Sequence, residues 1–488
     1  MTVTADVERA GARERPLDVF LTKHPGDRAA LIDAAGREYS FAQLGSLARR
    51  FHAATATREK TLILCGTERT LDGAAAYLLT LTSDHAVFPV GGETLARSLA
   101  DYLTTWQPEF VLLPTAMAGD AGDALAGCDA VDDAAVPGHV LVRRRDAREA
   151  SPIHADTKLL LRTSGTIGTP KIVRLSCRNV LSNAADIAAA IGIADDDRGV
   201  TSLPLDFSYG LSVLHSHLTR GSSLLITSES PEAGPFWRHA AHRRVSIAYT
   251  IPSTCRRLLT AGWTPAKAAG LRLICQAGGY LSAKAKLDLI DRIEPWGVGF
   301  AAMYGQTEAT ARISYLPPTD ARERIGSVGG PLRCGRVRLQ QRPGGESEIV
   351  FEGPNVMMGY ARARADLRRG DEHGGVLETG DLGSLDAGYL YVHGRGDRMI
   401  KLAGRRLQLE EIEAWLEPRF GETAAVADEE LLHVCATGTV GEAAALKRQL
   451  ASQLAVPPAL IALHRFERLP RTSTGKTDLK QLSSLVLR

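Results

Sequence analysis

Four stretches of this sequence carry side chains suited to handling a polyanion. Residues 159–176 read LLLRTSGTIGTPKIVRLS, an aliphatic run opening into hydroxyls and glycines and then reaching Lys171. Residues 303–315, MYGQTEATARISY, offer the ring of Tyr304, the hydroxyl of Thr307 and the carboxylate of Glu308. Residues 377–401 set Asp381 in a Thr-Gly-Asp turn, with Arg395 and Lys401 downstream, and LPRTSTGKTDLKQL at 469–482 carries Lys476 after a second hydroxyl-rich turn.

The first stretch has the wrong order for a Walker loop. That loop needs Gly-Lys-Ser/Thr contiguous at the start of a helix. Here Thr169 and Pro170 separate Gly168 from Lys171, and IVRL continues like a strand. A hairpin-type loop that wraps phosphates with backbone N–H groups, hydroxyls and one lysine remains open, as does an ordinary turn between strands. In the second stretch, a single carboxylate beside a hydroxyl suits Mg²⁺, which takes one or two carboxylates and fills its shell with phosphate oxygens and water. A solvated polar loop reads the same. In the third, an aspartate is a common partner of ribose hydroxyls, although a β-meander with surface charges has equal spacing. A lysine close to a C-terminus is by itself ordinary.

Order joins the four. Together with two further patterns they resemble the adenylate-forming superfamily of acyl- and aryl-CoA ligases, peptide-synthetase adenylation domains and luciferases. Thr163–Lys171 follows the family loop [ST]SG[ST]TGxPK except at Ile167; Tyr304–Glu308 matches YGxTE; Thr379–Asp381 matches TGD. Glu348, Gly353, Val356 and Gly359-Tyr360 match a glycine-punctuated motif, with Ser347 at its first glycine. Gly394–Glu413 matches GRxDxxIKxxG…EIE, and Pro470–Lys476 matches PRTxxGK. The likeness spans residues from about 160 to 488.

The resemblance implies an α/β fold. A large N-terminal domain, residues 1–394, would combine α/β sheet subdomains with a β-rich subdomain and hold the acid and ATP. A small mobile α+β domain, residues 395–488, would turn about a hinge at Asp397. Thr163, Ser164, Gly165, Thr166 and Lys171 would cradle phosphates. Thr307 would touch the α-phosphate, and Glu308 would hold Mg²⁺. Gly278, Gly279, Tyr280 and Tyr304 would bracket adenine, and Asp381 and Arg395 would hold ribose. Lys476 would serve adenylation and Lys401 the second half-reaction, with Gly404 beside the thiol channel. Phe207, Tyr209, Gly210, Tyr280 and Met303 would wall an acid pocket for a small aromatic or short- to medium-chain acid.

The implied reaction is ATP-dependent, AMP-forming activation of that acid and transfer to a thiol, CoA being the expected acceptor. A carrier-protein thiol, an amine or nitrite activation is the alternative, and a non-catalytic nucleotide-binding homologue is the third reading. The frame of Asp206 differs from that of an amine-binding aspartate. His215 and His217, two apart, diverge on a helix, so one packed and one exposed histidine is expected.

The elements that must position these groups follow from hydrophobic pattern. TLILCG and EFVLLP read as buried strands, as do runs at 223–227, 246–250, 271–276, 431–436 and 461–466. Val180, Ala184, Ile187 and Ile191 fall at helical spacing between a Ser176 cap and Gly192. Leu409, Ile412 and Leu416 mark one late helix and Leu446, Leu450 and Leu454 another, and Pro343-Gly344-Gly345 reads as a hairpin turn. A chain of 488 residues exceeds one compact core. Its 58 basic and 56 acidic side chains nearly cancel, which gives no basic stripe for nucleic acid. Seven scattered cysteines without a C-x-x-C pair fit a reducing cytoplasm, and no apolar run reaches membrane-spanning length.

Overall fold

The computed structural model describes residues 15–487 except 23, 120, 123, 132–135, 147–149, 164–170, 343–344, 403–404, 429–430, 439–442, 455 and 473–475. Two large sheets dominate. One has eight strands, among them Leu62–Thr67, Ala86–Gly91, Phe110–Pro114, Thr157–Arg162 and Ile172–Ser176. The other has nine, with Gly299–Tyr304, Leu273–Gln276, Ile247–Thr250, Arg198–Thr201, Ser223–Ile226 and Ala29–Asp33 in parallel succession.

Strands buried on both faces read as continuous aliphatic runs, and every residue of Leu62–Thr67 is buried. The largest apolar core lies between the two sheets. It draws on both of them and on the helices Leu71–Leu81, Cys177–Ile191 and Ser208–Thr219. A second core, built around Phe236, Trp237, Leu258 and Leu289, covers the other face of the nine-stranded sheet; a third, with Leu95, Leu99 and Trp106, covers that of the eight-stranded one. The layering is therefore helix, sheet, helix, sheet, helix.

The helix Cys177–Ile191 forms as its pattern requires. Ser176 and Asn179 make a reciprocal capping box. Val180, Ala184, Ile187 and Ile191 are buried, and Gly192 closes the helix at φ 67°, which a side chain would oppose. The buried guanidinium of Arg174 ties the strand before this helix to the following layer, through Glu372 at 2.6 Å and the Gly370 carbonyl at 3.2 Å. A four-stranded antiparallel sheet follows, with Arg336–Gln341, Ser347–Glu352, Val376–Asp386 and Tyr389–Arg395. The turn expected at 343–345 joins its first two strands, and Pro343 and Gly344 lie outside the described residues.

Beyond Arg395, a two-stranded sheet and the three-stranded sheet Thr423–Ala427, Leu432–Ala436 and Ile461–Arg465 pack with the helices Leu409–Phe420 and Ala443–Leu454 on their own core of Leu416, Leu432, Leu450 and Ile461. Arg256 and Glu417 bridge this unit to the preceding one, 2.7 Å apart. Among the described residues no helix is long and apolar enough to cross a membrane.

Candidate active site

In open parallel sheets, ligands settle at the carboxyl ends of the strands. Here Thr250, Gln276 and Tyr304 end three adjacent strands. The chain leaving Tyr304 makes a tight turn that delivers Thr307 and Glu308. Thr307 is buried and its hydroxyl lies 3.1 Å from that of Ser208, the first residue of the helix Ser208–Thr219. Glu308 accepts a hydrogen bond from the Tyr360 hydroxyl at 2.8 Å. The ring of Tyr360 also lies under the Lys171 ammonium, 5.0 Å from its centre. Tyr360 thus couples the end of the first loop to the carboxylate of the second. As a site residue it is new, although the Gly359-Tyr360 pair of the fourth motif carried the signal. Tyr360→Phe is expected to raise KM for Mg-ATP about tenfold, as for loss of one hydrogen bond to a charged group, read from initial rates against nucleotide concentration.

The first loop connects two paired strands. Thr157–Arg162 and Ile172–Ser176 pair antiparallel, and the Thr163 N–H donates to the Lys171 carbonyl at 3.0 Å. Ser164, Gly165, Thr166 and the departing residue Ile167 lie outside the described residues, as do Ala403 and Gly404. Asp397 falls in the short helical turn Gly396–Arg398 and Lys401 in the strand Met399–Leu402; their side chains also lie outside the described set.

The Thr-Gly-Asp turn is built by neighbours. Gly380 adopts φ 75°, its N–H donates to Glu348 at 2.8 Å, and Thr379 bonds the Ile349 carbonyl at 2.7 Å. Glu348 is thereby explained as a turn-builder. Asp381 accepts from the Tyr304 hydroxyl and pairs with Arg395 at 3.2 Å. Burial, followed by the Asp381 charge, pushes the Tyr304 phenol well above its ordinary range, so it stays a donor.

Lys476 arrives from the C-terminal unit. Thr472 donates to the Lys476 carbonyl from its N–H at 2.8 Å, Arg471 and Thr477 bridge, and Asp478 caps the helix Leu479–Val486. The side chain is exposed, yet protein flanks it. That desolvation and the charge of Arg395 lower its pKa, while Asp381 and Glu308 act in the opposite sense. The terminal lysine therefore feels the carboxylates of Glu308 and Asp381.

Around the expected acid pocket, Tyr209 hydrogen-bonds the Thr250 carbonyl at 3.1 Å, and a Cβ on Gly278 would touch its ring at 3.5 Å. Phe207 is half-buried ahead of the helix, Met303 is buried, and Tyr280 is exposed, with Gly279 accepting from Gln276 at 3.1 Å. Gly210 has a packing role: a Cβ there would lie 2.2 Å from the Pro204 carbonyl oxygen. Asp206 is buried and accepts the Gly91 N–H at 3.0 Å.

The histidine expectation needs correction, because both side chains are buried. His215 bonds the Tyr77 hydroxyl at 2.9 Å, and His217 bonds Ser222 at 2.7 Å and Tyr249 at 2.9 Å. The helix that carries them lies between the two sheets, so it has no solvent face for His217. Burial lowers both pKa values to about 3, and both rings stay neutral.

With this geometry in place, comparison with known proteins defines the class. Residues 17–361 match the model of the AMP-binding enzymes, and the chain belongs to that family. Several of its relatives are acyl- and aryl-CoA ligases. A 2-succinylbenzoate–CoA ligase of Bacillus velezensis is 29% identical over 359 residues, covering 68% of this chain and 69% of the relative. A sulfoacetate–CoA ligase of Cupriavidus necator is 33% identical over 280 residues, 55% of this chain and 53% of the relative. Among solved structures, o-succinylbenzoate CoA synthetase of Bacillus subtilis with its acyl-adenylate intermediate superposes at a TM-score of 0.76 and 22% identity, covering 96% of this chain and 98% of that one.

Proposed function

We propose that this enzyme activates a small carboxylic acid with ATP, releases pyrophosphate, and passes the acyl group from AMP to the thiol of CoA. The observation that carries the reading is that Tyr360 joins the loop lysine to the candidate metal carboxylate, its ring 5.0 Å from the Lys171 ammonium and its hydroxyl 2.8 Å from Glu308, while Asp381 is held by Tyr304 and Arg395. In the first step a carboxylate oxygen attacks the α-phosphorus of ATP, and the bond to the bridging oxygen breaks with its electrons leaving on pyrophosphate. In the second, the thiol sulfur attacks the acyl carbon, AMP leaves, and the thiol proton passes to solvent.

The residues have matching duties. Thr307 and Lys476 face the α-phosphate and the incoming carboxylate, where charge develops. Lys171 with Thr163, Ser164, Gly165 and Thr166 holds the departing phosphates. Asp381 and Arg395 hold the ribose, with Tyr304 fixing Asp381 beside the base. Tyr280, Gly278 and Gly279 border the adenine and the acid. Glu308 fits Mg²⁺, since Tyr360, whose ring lies under the Lys171 ammonium, donates to one of its carboxylate oxygens. The ion, when bound, neutralises charge on the triphosphate. For the second step the C-terminal unit, from 395 onward, turns at Asp397, withdraws Lys476 and presents Lys401 and the Gly404 channel to the thiol, a hinge-type exchange of two half-sites.

The test is a pyrophosphate-release screen of small acids, with and without CoA. Acid-dependent pyrophosphate followed by CoA-dependent thiol loss is the expected result. Pyrophosphate release that proceeds to product only with an amine or a carrier-protein thiol would replace CoA as acceptor. No release with any acid would overturn adenylation itself.

A further inference from the structure

Three arginines of the described residues are buried: Arg174, Arg312 and Arg364. Arg174 pairs with Glu372 and Arg364 with Glu109. Arg312, 4% exposed, forms no ion pair among the described residues. Its guanidinium carbon lies 4.1 Å from the centre of the Tyr209 ring. Its Nε donates to the Met303 sulfur at 3.4 Å, and its Nη1 to its neighbour's carbonyl, that of Ala311, at 3.3 Å. A sulfur, one carbonyl and the ring and hydroxyl of the neutral Tyr209 supply no counter-charge to this buried cation, and a guanidinium cannot relieve the cost by losing its proton.

The backbone is strained to place it there. Thr310 sits at φ 63°, ψ −56°, and the Ala311 N–H donates to the Ala309 carbonyl at 2.7 Å, a γ-turn of the rare, strained hand. Two asparagines hold the turn. Asn355 donates to the Ala309 carbonyl at 2.9 Å, and Asn183 brackets Arg312, accepting from its N–H at 3.2 Å and donating to its carbonyl at 2.9 Å. Strain over-determined in this way marks functional positions. Tyr209 and Met303 are two of the residues expected to wall the acid pocket, and Tyr209 directly follows Ser208, whose hydroxyl touches Thr307.

We infer that Arg312 pairs with a second anionic group on the acid, so that the substrate is a compact dianionic acid, a short dicarboxylate or sulfocarboxylate, with one carboxylate at Thr307 and the other anion at Arg312. The assignment rests on the adenylation reading above. It sharpens the expected pocket, two of whose expected walls, Tyr209 and Met303, contact a fixed cation.

Matched acids test it in one assay. Pyrophosphate release is measured for malonate against propionate, succinate against butyrate, sulfoacetate against acetate and phthalate against benzoate. In at least one pair the dianionic member is expected to exceed its monoanionic partner about 50-fold in kcat/KM, as for loss of one charge-assisted pair. Arg312→Met is expected to abolish that preference mainly through KM, and Arg312→Lys to restore part of it. The wild-type comparison needs no variant to fold, and Mg-ATP thermal shifts report whether each variant does. Turnover of monoanionic acids with no preference for any dianionic partner overturns the Arg312 assignment and leaves adenylation standing. A preference that survives in Arg312→Met also overturns it. No release with either set removes the adenylation reading and this one with it.

Discussion

Lys476→Ala is expected to slow acyl-adenylate formation by about 10²–10³-fold, the scale of removing one preorganised cation from a developing anion. Transfer from a chemically supplied acyl-adenylate to CoA is expected to change by less than about threefold, because that step does not use the side chain. Single-turnover pyrophosphate release reads the first half, and thiol consumption with the synthetic adenylate reads the second. Equal loss in both halves would refute the division of labour. The same lysine predicts a pH signature. Desolvation and Arg395 lower its pKa from the ordinary lysine value. The protonated form attracts both anions, so kcat/KM falls as pH rises through that lowered pKa. The alkaline limb of the free enzyme should therefore appear below the usual lysine range, and Lys476→Arg should move it to higher pH, since a guanidinium stays charged.

Motif order made the site legible, whereas composition did not. Six short patterns, each ambiguous alone, named Lys171, Thr307, Glu308, Asp381, Arg395 and Lys476 as candidates; the fold links Lys171 to Glu308 through Tyr360 and pairs Asp381 with Arg395 beside Tyr304. Strands were readable where both faces are buried, as in Leu62–Thr67, because an unbroken aliphatic run has few other uses. The helix Cys177–Ile191 was readable because its cap, period and stop agree. Features that depend on tertiary neighbours were not. One of His215 and His217 is expected at the surface until a second sheet covers their helix. Tyr360 is distant from Glu308 in sequence, and only the pairing of Gly359–Ala361 with Ile172–Ser176 puts its hydroxyl within reach. Arg312 stands in plain view within MYGQTEATARISY, but its type does not reveal burial without a counter-charge. That required the fold.

Gly305→Ala is expected to reduce adenylation at least 100-fold. Gly305 has no conformational reason of its own to be glycine among the described positive-φ residues; the reason is what lies beside it. A Cβ there would stand 2.0 Å from the Ala311 carbonyl oxygen and 2.7 Å from the Arg312 Cα. Both are backbone atoms, so no side-chain rotation relieves the clash. The turn from Tyr304 to Arg312 would have to open, although its closure is what fixes Thr307 against Ser208, Glu308 against Tyr360 and the Arg312 guanidinium over Tyr209. Misplacement of reacting groups by about 1 Å costs on the order of 10²-fold in rate, and here three functional groups share one backbone segment. The outcome to look for is a folded protein, verified by circular dichroism and a cooperative melt, with kcat depressed and the discrimination between dianionic and monoanionic acids lost together. Loss of kcat with discrimination intact would show that Arg312 is positioned independently of the turn. Near-normal kcat would show that the segment yields to the added methyl without cost, and that the close approach of Gly305 to Ala311 is not what sets the site.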